Sequence, residues 1–316
     1  MRRPGCEDGP DIEETTGDGV DPTIALEGVT KHYRTGAGVD DVTLSIGPGE
    51  VFGFLGPNGA GKTTVIRMVL DFIRPDSGRI RIFGMDARAD SVRIHRRIGY
   101  VPGELALYDR FTAREMLTHF GYLRGRRDWS SIAVQAERLE LELDRPMRKL
   151  SKGNRQKVAL VSAFAGDPEL LLLDEPTSGL DPIVQQQVHA EVRRAADEGR
   201  TVFLSSHVLA EVGQVADRVG LIRDGRLIAV ERVSELRRRA MHLVDATFAS
   251  PVAEERFATL PGVSACEVVD HRLHLDVSGS LRPTVQALAD VELVDLSIRE
   301  PTLEELFLSF YEQSHD

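Results

Sequence analysis

The sequence predicts an α/β protein built around a buried parallel sheet, with a smaller α+β unit near its C-terminus. The first indication is an apolar run, Val51–Leu55, that leads through a glycine-rich loop into a helix-like run, Val65–Leu70. Two further apolar runs, Leu170–Leu173 and Thr201–Leu204, end in polar residues, as buried parallel strands do where they carry side chains to a ligand. From residue 236 onward, strand and helix patterns follow the order βαββαβ.

These patterns divide the chain into three parts. Residues 1–22 combine acidic side chains with glycines and prolines and hold few large apolar residues, so we expect a disordered acidic tail. Residues 23–235 carry the apolar runs and form the main domain, with a mixed helical stretch over 114–142 as an inserted helical subdomain. Residues 236–316 form an accessory domain that ends in an amphipathic helix from Leu303, and their βαββαβ order predicts a ferredoxin-like unit.

The glycine-rich loop is a complete Walker A motif. Glycines let successive backbone N–H groups converge on an anion at a helix N-terminus. We expect Lys62 to reach the β- and γ-phosphates of a nucleoside triphosphate and the Thr63 hydroxyl to coordinate Mg²⁺. The predicted ATP-binding residues of this loop are Gly56, Pro57, Asn58, Gly59, Ala60, Gly61, Lys62, Thr63 and Thr64.

Two carboxylates follow the apolar run Leu170–Leu173. Asp174 is placed to hold Mg²⁺ as the acid of a Walker B motif does. Glu175 is the next residue and is a candidate general base that polarises the attacking water.

The segment Leu150, Ser151, Lys152, Gly153 and Asn154 precedes a helical run. It resembles the Leu-Ser-Gly-Gly-Gln signature of the ATP-binding subunits of ABC transporters, with Lys152 and Asn154 departing from the third and fifth positions. In that family the serine hydroxyl and the second glycine contact the ATP bound by a partner chain. A serine that only caps an amphipathic helix fits the same residues.

The other elements of this family follow in the expected order. Ser178, Gly179, Leu180 and Asp181 resemble the D-loop, which lines the interface between two nucleotide-binding domains. His207, at the end of an apolar run, resembles the switch histidine that contacts the γ-phosphate and acts with Glu175 on the attacking water.

Tyr33 resembles the A-loop aromatic residue that stacks on adenine. The family's Q-loop glutamine aligns with Gly103, which has no side chain to reach Mg²⁺, and Glu104 is the candidate substitute. The resemblance implies a P-loop, RecA-like ABC ATPase core with ATP and Mg²⁺ as ligands. The ending from Pro301 to Phe307 resembles ATPase subunits of daunorubicin-resistance-type drug exporters.

Composition is consistent with this resemblance. A net charge of −11 argues against general nucleic-acid binding. The chain has two cysteines, far apart, so neither a disulfide framework nor a zinc site is expected. No apolar stretch approaches the ~20 residues of a membrane span, and the N-terminus lacks the apolar core of a signal peptide. We therefore expect a cytosolic location, and the resemblance implies a peripheral protein at the cytoplasmic face of the cell membrane.

The resemblance implies an ATP-hydrolysing subunit of an ABC exporter that drives efflux of a drug-like or antibiotic-like compound through a separate membrane permease. Each motif occurs once, so two nucleotide-binding domains, as a homodimer or with a homologue, are required. A lipid or glycan exporter and a nutrient importer remain alternatives. A chromosome-structure ATPase would separate the Walker A loop from Leu150 by a long coiled coil, and a translation factor would carry two cassettes, so neither class fits.

Overall fold

The structure is a computed structural model that describes residues 21–34, 36–105, 108–125, 129–239 and 242–299. The predicted disordered tail, apart from its last two residues, lies outside the described residues. The predicted terminal helix from Leu303 also lies outside them.

The described residues up to Arg232 form ten strands. In chain order they are β1 (Ile24–His32), β2 (Gly38–Ile46), β3 (Val51–Leu55), β4 (Ser77–Ile82), β5 (Met85–Asp86), β6 (Ile98–Val101), β7 (Leu170–Asp174), β8 (Thr201–Ser206), β9 (Arg218–Arg223) and β10 (Arg226–Arg232). They build two sheets, a six-stranded sheet of order β10-β9-β3-β8-β7-β6 and a four-stranded sheet of order β2-β1-β4-β5.

The six-stranded sheet is parallel except for its edge hairpin. β3 pairs in parallel with β8 and β9, and β7 pairs in parallel with β6 and β8. Every residue of β3, β7 and β8 is buried, which explains why these strands read as continuous apolar runs in the sequence. The dipeptide Asp224-Gly225 is typical of a tight hairpin turn, and the hairpin β9–β10 turns there, with φ angles of 47° and 81°.

Eight helices surround these sheets in the described residues up to Arg239. In chain order they are α1 (Lys62–Val69), α2 (Ser91–His95), α3 (Ala113–Leu123), α4 (Ser130–Arg138), α5 (Lys152–Phe164), α6 (Pro182–Asp197), α7 (Leu209–Val215) and α8 (Val233–Arg239). The predicted mixed helical stretch over 114–142 contains α4 and all of α3 except its first residue, Ala113. α3 begins with a capping box, in which the Thr112 hydroxyl accepts from the Glu115 N–H and the Glu115 carboxylate accepts from the Thr112 N–H.

The parallel sheet separates two apolar cores, and the side chains of β3 alternate between them. Phe52 and Phe54 belong to the core formed with α1 and the antiparallel sheet. Val51 and Leu55 belong to the core formed with α3, α5 and α6. This alternation fixes β3 in the middle of the molecule and holds the loop that follows it at the carboxyl edge of the sheet.

The C-terminal described residues form a second unit with its own small core. Its elements are β11 (His242–Phe248), α9 (Glu255–Ala258), β12 (Val263–Val269), β13 (Arg272–Val277), α10 (Arg282–Ala289) and β14 (Leu293–Arg299). The antiparallel sheet has the order β12-β13-β11-β14, and its strands pack through Val244, Phe248 and Leu275 against Phe257 of α9. The predicted βαββαβ order is therefore confirmed, with the first and last strands adjacent, as in a ferredoxin-like unit.

Two element boundaries in this unit differ from the sequence prediction. The sequence pattern of residues 252–260 predicts a helix over that whole range, but α9 covers only Glu255–Ala258. Leu260 precedes Pro261, and the residue before a proline is disfavoured in helical conformation, which accounts for the early end. The sequence pattern over 291–298 predicts that the last strand begins at Val291. It begins at Leu293, because the Val291 N–H closes a turn onto the Leu288 carbonyl.

Candidate functional site

The Walker A loop connects β3 to α1, as the sequence predicts. Gly59 and Gly61 have φ angles of 85° and 110°, which side chains rarely tolerate. A Cβ on Gly61 would also lie 2.5 Å from Cγ1 of Val39, so glycine is required there for both conformation and space. Pro57, Asn58 and Gly59 are exposed at the tip of the loop. The loop therefore presents backbone to solvent at the N-terminus of a helix that is anchored in the core.

Lys62 is the first residue of α1, and its ammonium group is buried inside the loop. Nζ donates to the carbonyl oxygens of Gly56 at 2.6 Å and Pro57 at 3.2 Å. It also lies 3.2 Å from Oε1 of Glu175. With 6 % of the residue exposed, the charge is screened little by water.

Thr63 and Asp174 bring two oxygens together at the carboxyl end of β7. The Thr63 hydroxyl donates to Oδ2 of Asp174 at 2.9 Å, and the Ser205 hydroxyl donates to Oδ1 at 2.6 Å. Asp174 is 1 % exposed, and hydroxyl and carboxylate oxygens are the ligands that Mg²⁺ prefers. The residues present therefore fit a magnesium ion at this point, which Thr63 and Asp174 would hold.

Glu175 lies between the side chains of Lys62 and His207. Its Oε2 is 2.8 Å from Nδ1 of His207, and its Oε1 faces the Lys62 ammonium. Oε1 is buried and has no directed hydrogen bond from the described residues, so the Lys62 contact is one of charge. The backbone of Glu175 has a φ of 49°, in the left-handed region. This conformation is held by its N–H, which donates to the carbonyl and hydroxyl oxygens of Ser205.

The structure thus brings five of the predicted site residues into two groups of side-chain contacts, which are joined through the Ser205 hydroxyl and the Glu175 backbone N–H. These are Lys62, Thr63, Asp174, Glu175 and His207. Sequence reasoning missed Ser205, which contacts both Asp174 and the Glu175 backbone; a polar residue at the end of the apolar run Thr201–Leu204 was the available signal. It also missed Tyr100 on β6, whose pKa is raised by burial and by the neighbouring Asp174 carboxylate.

The signature segment sits at the start of α5. Ser151 is the N-cap of this helix, and its hydroxyl accepts from the Asn154 N–H at 3.2 Å. Leu150 is buried, whereas Ser151 and Lys152 are exposed. The capping role expected as an alternative is therefore present, at a helix N-terminus whose first two residues are exposed.

The D-loop segment lies against the signature of the same chain. Gly179 has a φ of 70°, and the space beside it is filled by the Lys152 side chain, whose Cε would lie 3.2 Å from a Cβ built at Gly179. Leu180 packs near Gly153. Asp181 caps α6 by accepting from the N–H groups of Ile183 and Val184. Ser178 begins the turn, donating its N–H to the Glu175 carbonyl.

Tyr33 follows β1 and is 37 % exposed, in the turn that connects β1 to β2. The same turn leads into Gly38 and Val39, which contact Gly61 of the Walker A loop. The turn that carries Tyr33 therefore leads into the residues beside the phosphate-binding loop.

Gly103 lies beside the Walker B acid. A Cβ built there would be 3.3 Å from Oδ2 of Asp174, so a side chain at this position would lie beside the predicted magnesium site. Glu104 is exposed in the loop that follows β6.

The geometry defines a class of protein: a P-loop nucleotide-binding enzyme with a Walker B pair at the carboxyl edge of a parallel sheet. The family model described as ABC transporter matches residues 39–178. The daunorubicin resistance ATP-binding protein DrrA3 of Streptomyces coeruleorubidus is 33 % identical over 306 residues, 92 % of this chain and 96 % of that protein. The bacitracin transport ATP-binding protein BcrA of Bacillus licheniformis is 35 % identical over 261 residues, 80 % of this chain and 82 % of that protein.

Solved structures agree with the sequence comparisons. The dimeric structure of MJ0796, a bacterial ABC transporter cassette, is 26 % identical and superposes with a TM-score of 0.62 over 66 % of this chain and 98 % of that chain. The same cassette has been solved in a post-hydrolysis state bound to ADP and phosphate, with 25 % identity and a TM-score of 0.61.

The chain belongs to the ABC transporter family, as one of its ATP-binding, ATP-hydrolysing subunits. The predicted fold class and family are thereby confirmed. Among the described residues, no helix is long and apolar enough to span a membrane, and no group of three or more His, Cys, Asp or Glu side chains is arranged to hold a metal ion.

Proposed function

We propose that this chain is the ATPase subunit of an exporter, and that it drives efflux of a drug-like or antibiotic-like compound through a separate membrane permease at the cytoplasmic face of the cell membrane. The observation that carries this proposal is the extent of the match to the daunorubicin resistance protein, 92 % of this chain, which reaches beyond the ATPase core into the C-terminal unit. Other relatives carry the names bacitracin transport and Nod factor export proteins.

The residues of the site divide the work of hydrolysis. Lys62 and the backbone N–H groups of the Walker A loop bind the phosphates, and Tyr33 stacks on the base. Thr63 and Asp174 would hold Mg²⁺, which would neutralise phosphate charge when bound. Glu175 accepts a proton from the attacking water, and His207 orients the Glu175 carboxylate and donates to the γ-phosphate.

The second half of the site comes from another copy of the chain. Ser151 and Gly153, at the exposed N-terminus of α5, contact the γ-phosphate bound to the partner chain's Walker A loop, and Ser178–Asp181 line the contact between the two copies. A homodimer therefore contains two complete sites. Residues 23–235 form this nucleotide-binding domain, residues 236–316 an accessory domain and residues 1–22 an acidic tail.

The proposal is tested by reconstituting the chain in membrane vesicles with a candidate permease subunit. Daunorubicin and bacitracin, taken from the relatives' names, serve as probes for stimulated ATP hydrolysis and for ATP-dependent accumulation in inverted vesicles. Stimulation and accumulation support export. ATPase activity that responds only to a secreted substrate-binding protein would make the chain a nutrient importer subunit, and a response only to lipids or glycans would change the substrate class.

A further inference from the structure

We propose that Glu211 is a positioning residue that fixes both ends of the D-loop relative to His207. The inference rests on the catalytic roles proposed above for Glu175 and His207. It concerns a side chain outside every motif recognised in the sequence.

The Glu211 carboxylate uses its two oxygens on two different segments. Oε2 accepts from the Thr177 hydroxyl at 2.6 Å, and Oε1 accepts from the Gln185 side-chain amide at 3.2 Å. Thr177 immediately precedes the D-loop residues Ser178–Asp181, and Gln185 lies in the first turn of α6, immediately after them. One carboxylate therefore holds the residues on either side of the D-loop.

Glu211 is also close in the chain to His207, the residue that resembles the switch histidine. It lies in the first turn of α7, which begins two residues after His207. Two side-chain contacts therefore join this segment of the chain to the one that contains Glu175 and Thr177. One is between Glu175 and His207, at 2.8 Å. The other is between Thr177 and Glu211. A shift of the second contact would move Glu175 relative to His207.

The environment makes the Thr177 contact strong. Thr177 is 6 % exposed, so its hydroxyl has little access to water and needs a protein partner. A hydroxyl that donates to a carboxylate at this distance forms a short charge-assisted hydrogen bond. The N-terminus of α6 has a separate cap in Asp181, so loss of Glu211 would loosen the placement of the D-loop and leave α6 capped.

The test compares Glu211→Ala, Glu211→Gln and Thr177→Val with Glu137→Ala, an exposed glutamate on α4 that serves as a matched control. We expect Glu211→Ala to lower kcat roughly 10- to 100-fold, the loss typical of a catalytic group displaced by about 1 Å. The KM for ATP and the ATP affinity of the isolated chain should stay within about twofold, because the Walker A loop is untouched. Glu211→Gln should retain most activity. Its amide oxygen can still accept from Thr177, and the Gln185 side-chain amide can rotate so that its oxygen accepts from the new amide N–H.

A double-variant cycle separates positioning from general destabilisation. Thr177→Val removes the donor while keeping the shape of the side chain, and combining it with Glu211→Ala should cost little beyond Glu211→Ala alone. Three results would overturn the inference. They are losses of kcat that add in the double variant, a kcat for Glu211→Ala near that of wild type, and a fall in ATP affinity as large as the fall in kcat. Should Glu211→Ala fail to fold, Thr177→Val alone carries the test. A Glu175→Gln variant with normal turnover would instead refute the proposed catalytic site.

Discussion

The Lys62 ammonium lies 3.2 Å from Oε1 of Glu175, so the residue proposed to bind the phosphates contacts the residue proposed to activate water. The two charges are 6 % and 19 % exposed, which leaves their attraction little screened. Phosphates that enter the Walker A loop compete with Glu175 for Lys62. Neutralising Glu175 should therefore leave ATP binding intact or tighten it.

Lys62→Ala should weaken ATP binding itself. The variant deletes the charge that faces the β- and γ-phosphates, and hydrogen bonds to a charged group contribute about 1.5–3 kcal/mol, or roughly a 10- to 150-fold change in Kd. Calorimetric titration of the isolated chain with a non-hydrolysable ATP analogue measures this, with the exposed Lys149→Ala as the control. An unchanged affinity in Lys62→Ala would show that the loop does not bind the nucleotide as proposed.

Ser151→Arg should block dimer closure while leaving each chain able to bind ATP. An arginine at this exposed helix N-terminus would occupy the space of the partner's γ-phosphate. In a Glu175→Gln background, size-exclusion chromatography should give an ATP-dependent dimer with Ser151 and a monomer with Ser151→Arg. Ser130→Arg at the start of α4 provides the control. Dimers of equal yield with and without Ser151→Arg would mean that the signature does not face a partner's nucleotide.

Glu104→Ala should lower permease-stimulated ATPase activity far more than basal activity. Gly103 offers no side chain beside Asp174, so the exposed Glu104 is the candidate for linking the magnesium site to the permease. The ratio of stimulated to basal rates in reconstituted membranes is the measurement. Equal loss of both rates, or loss of neither, would leave Glu104 as a loop residue without a coupling role.

The stability of the C-terminal unit should fall as pH rises. His274 contacts Asp245 at 2.8 Å and Asp276 at 3.3 Å, and the hydrogen bond to Asp245 is the main cause that raises the pKa of His274 above its ordinary value. Because the pKa of His274 is higher in the folded than in the unfolded protein, protonated His274 stabilises the fold. This stabilisation is fully present below the pKa of the unfolded state, about 6.5, and is lost as pH rises through the pKa of the folded state. The effect is modest because 43 % of the side chain is exposed.

His274→Gln removes this titration. Between about pH 6 and pH 9 the thermal midpoint of wild type should decrease more steeply than that of the variant. His271→Gln, in the adjacent turn, is the control. Parallel pH profiles for wild type and His274→Gln would show that the Asp245 contact does not contribute.

Features that depend on local chemistry could be predicted from the sequence. The Walker A loop was recognisable because Gly59 and Gly61 adopt backbone angles that few other residues allow. The buried strands β3, β7 and β8 were recognisable because both of their faces lie in apolar cores.

Features that depend on packing between distant segments were missed. Ser205 contacts Asp174 only because β7 and β8 are neighbours in the parallel sheet, and Tyr100 lies near Asp174 because β6 pairs with β7. The bonds of Glu211 to Thr177 and Gln185 depend on the packing of α6 against α7, which no local pattern specifies. The early end of α9 follows from a proline whose effect competes with an apolar spacing typical of a longer helix.

The central claim is that Glu175 is the base of an ATP-hydrolysing site. The most direct measurement compares ATP turnover and ATP binding of Glu175→Gln with those of wild type, with Glu137→Gln as an exposed control. Loss of general-base assistance predicts a fall in kcat of roughly 10²- to 10⁴-fold with ATP affinity retained. Turnover within about threefold of wild type, far short of that expected loss, would contradict the account.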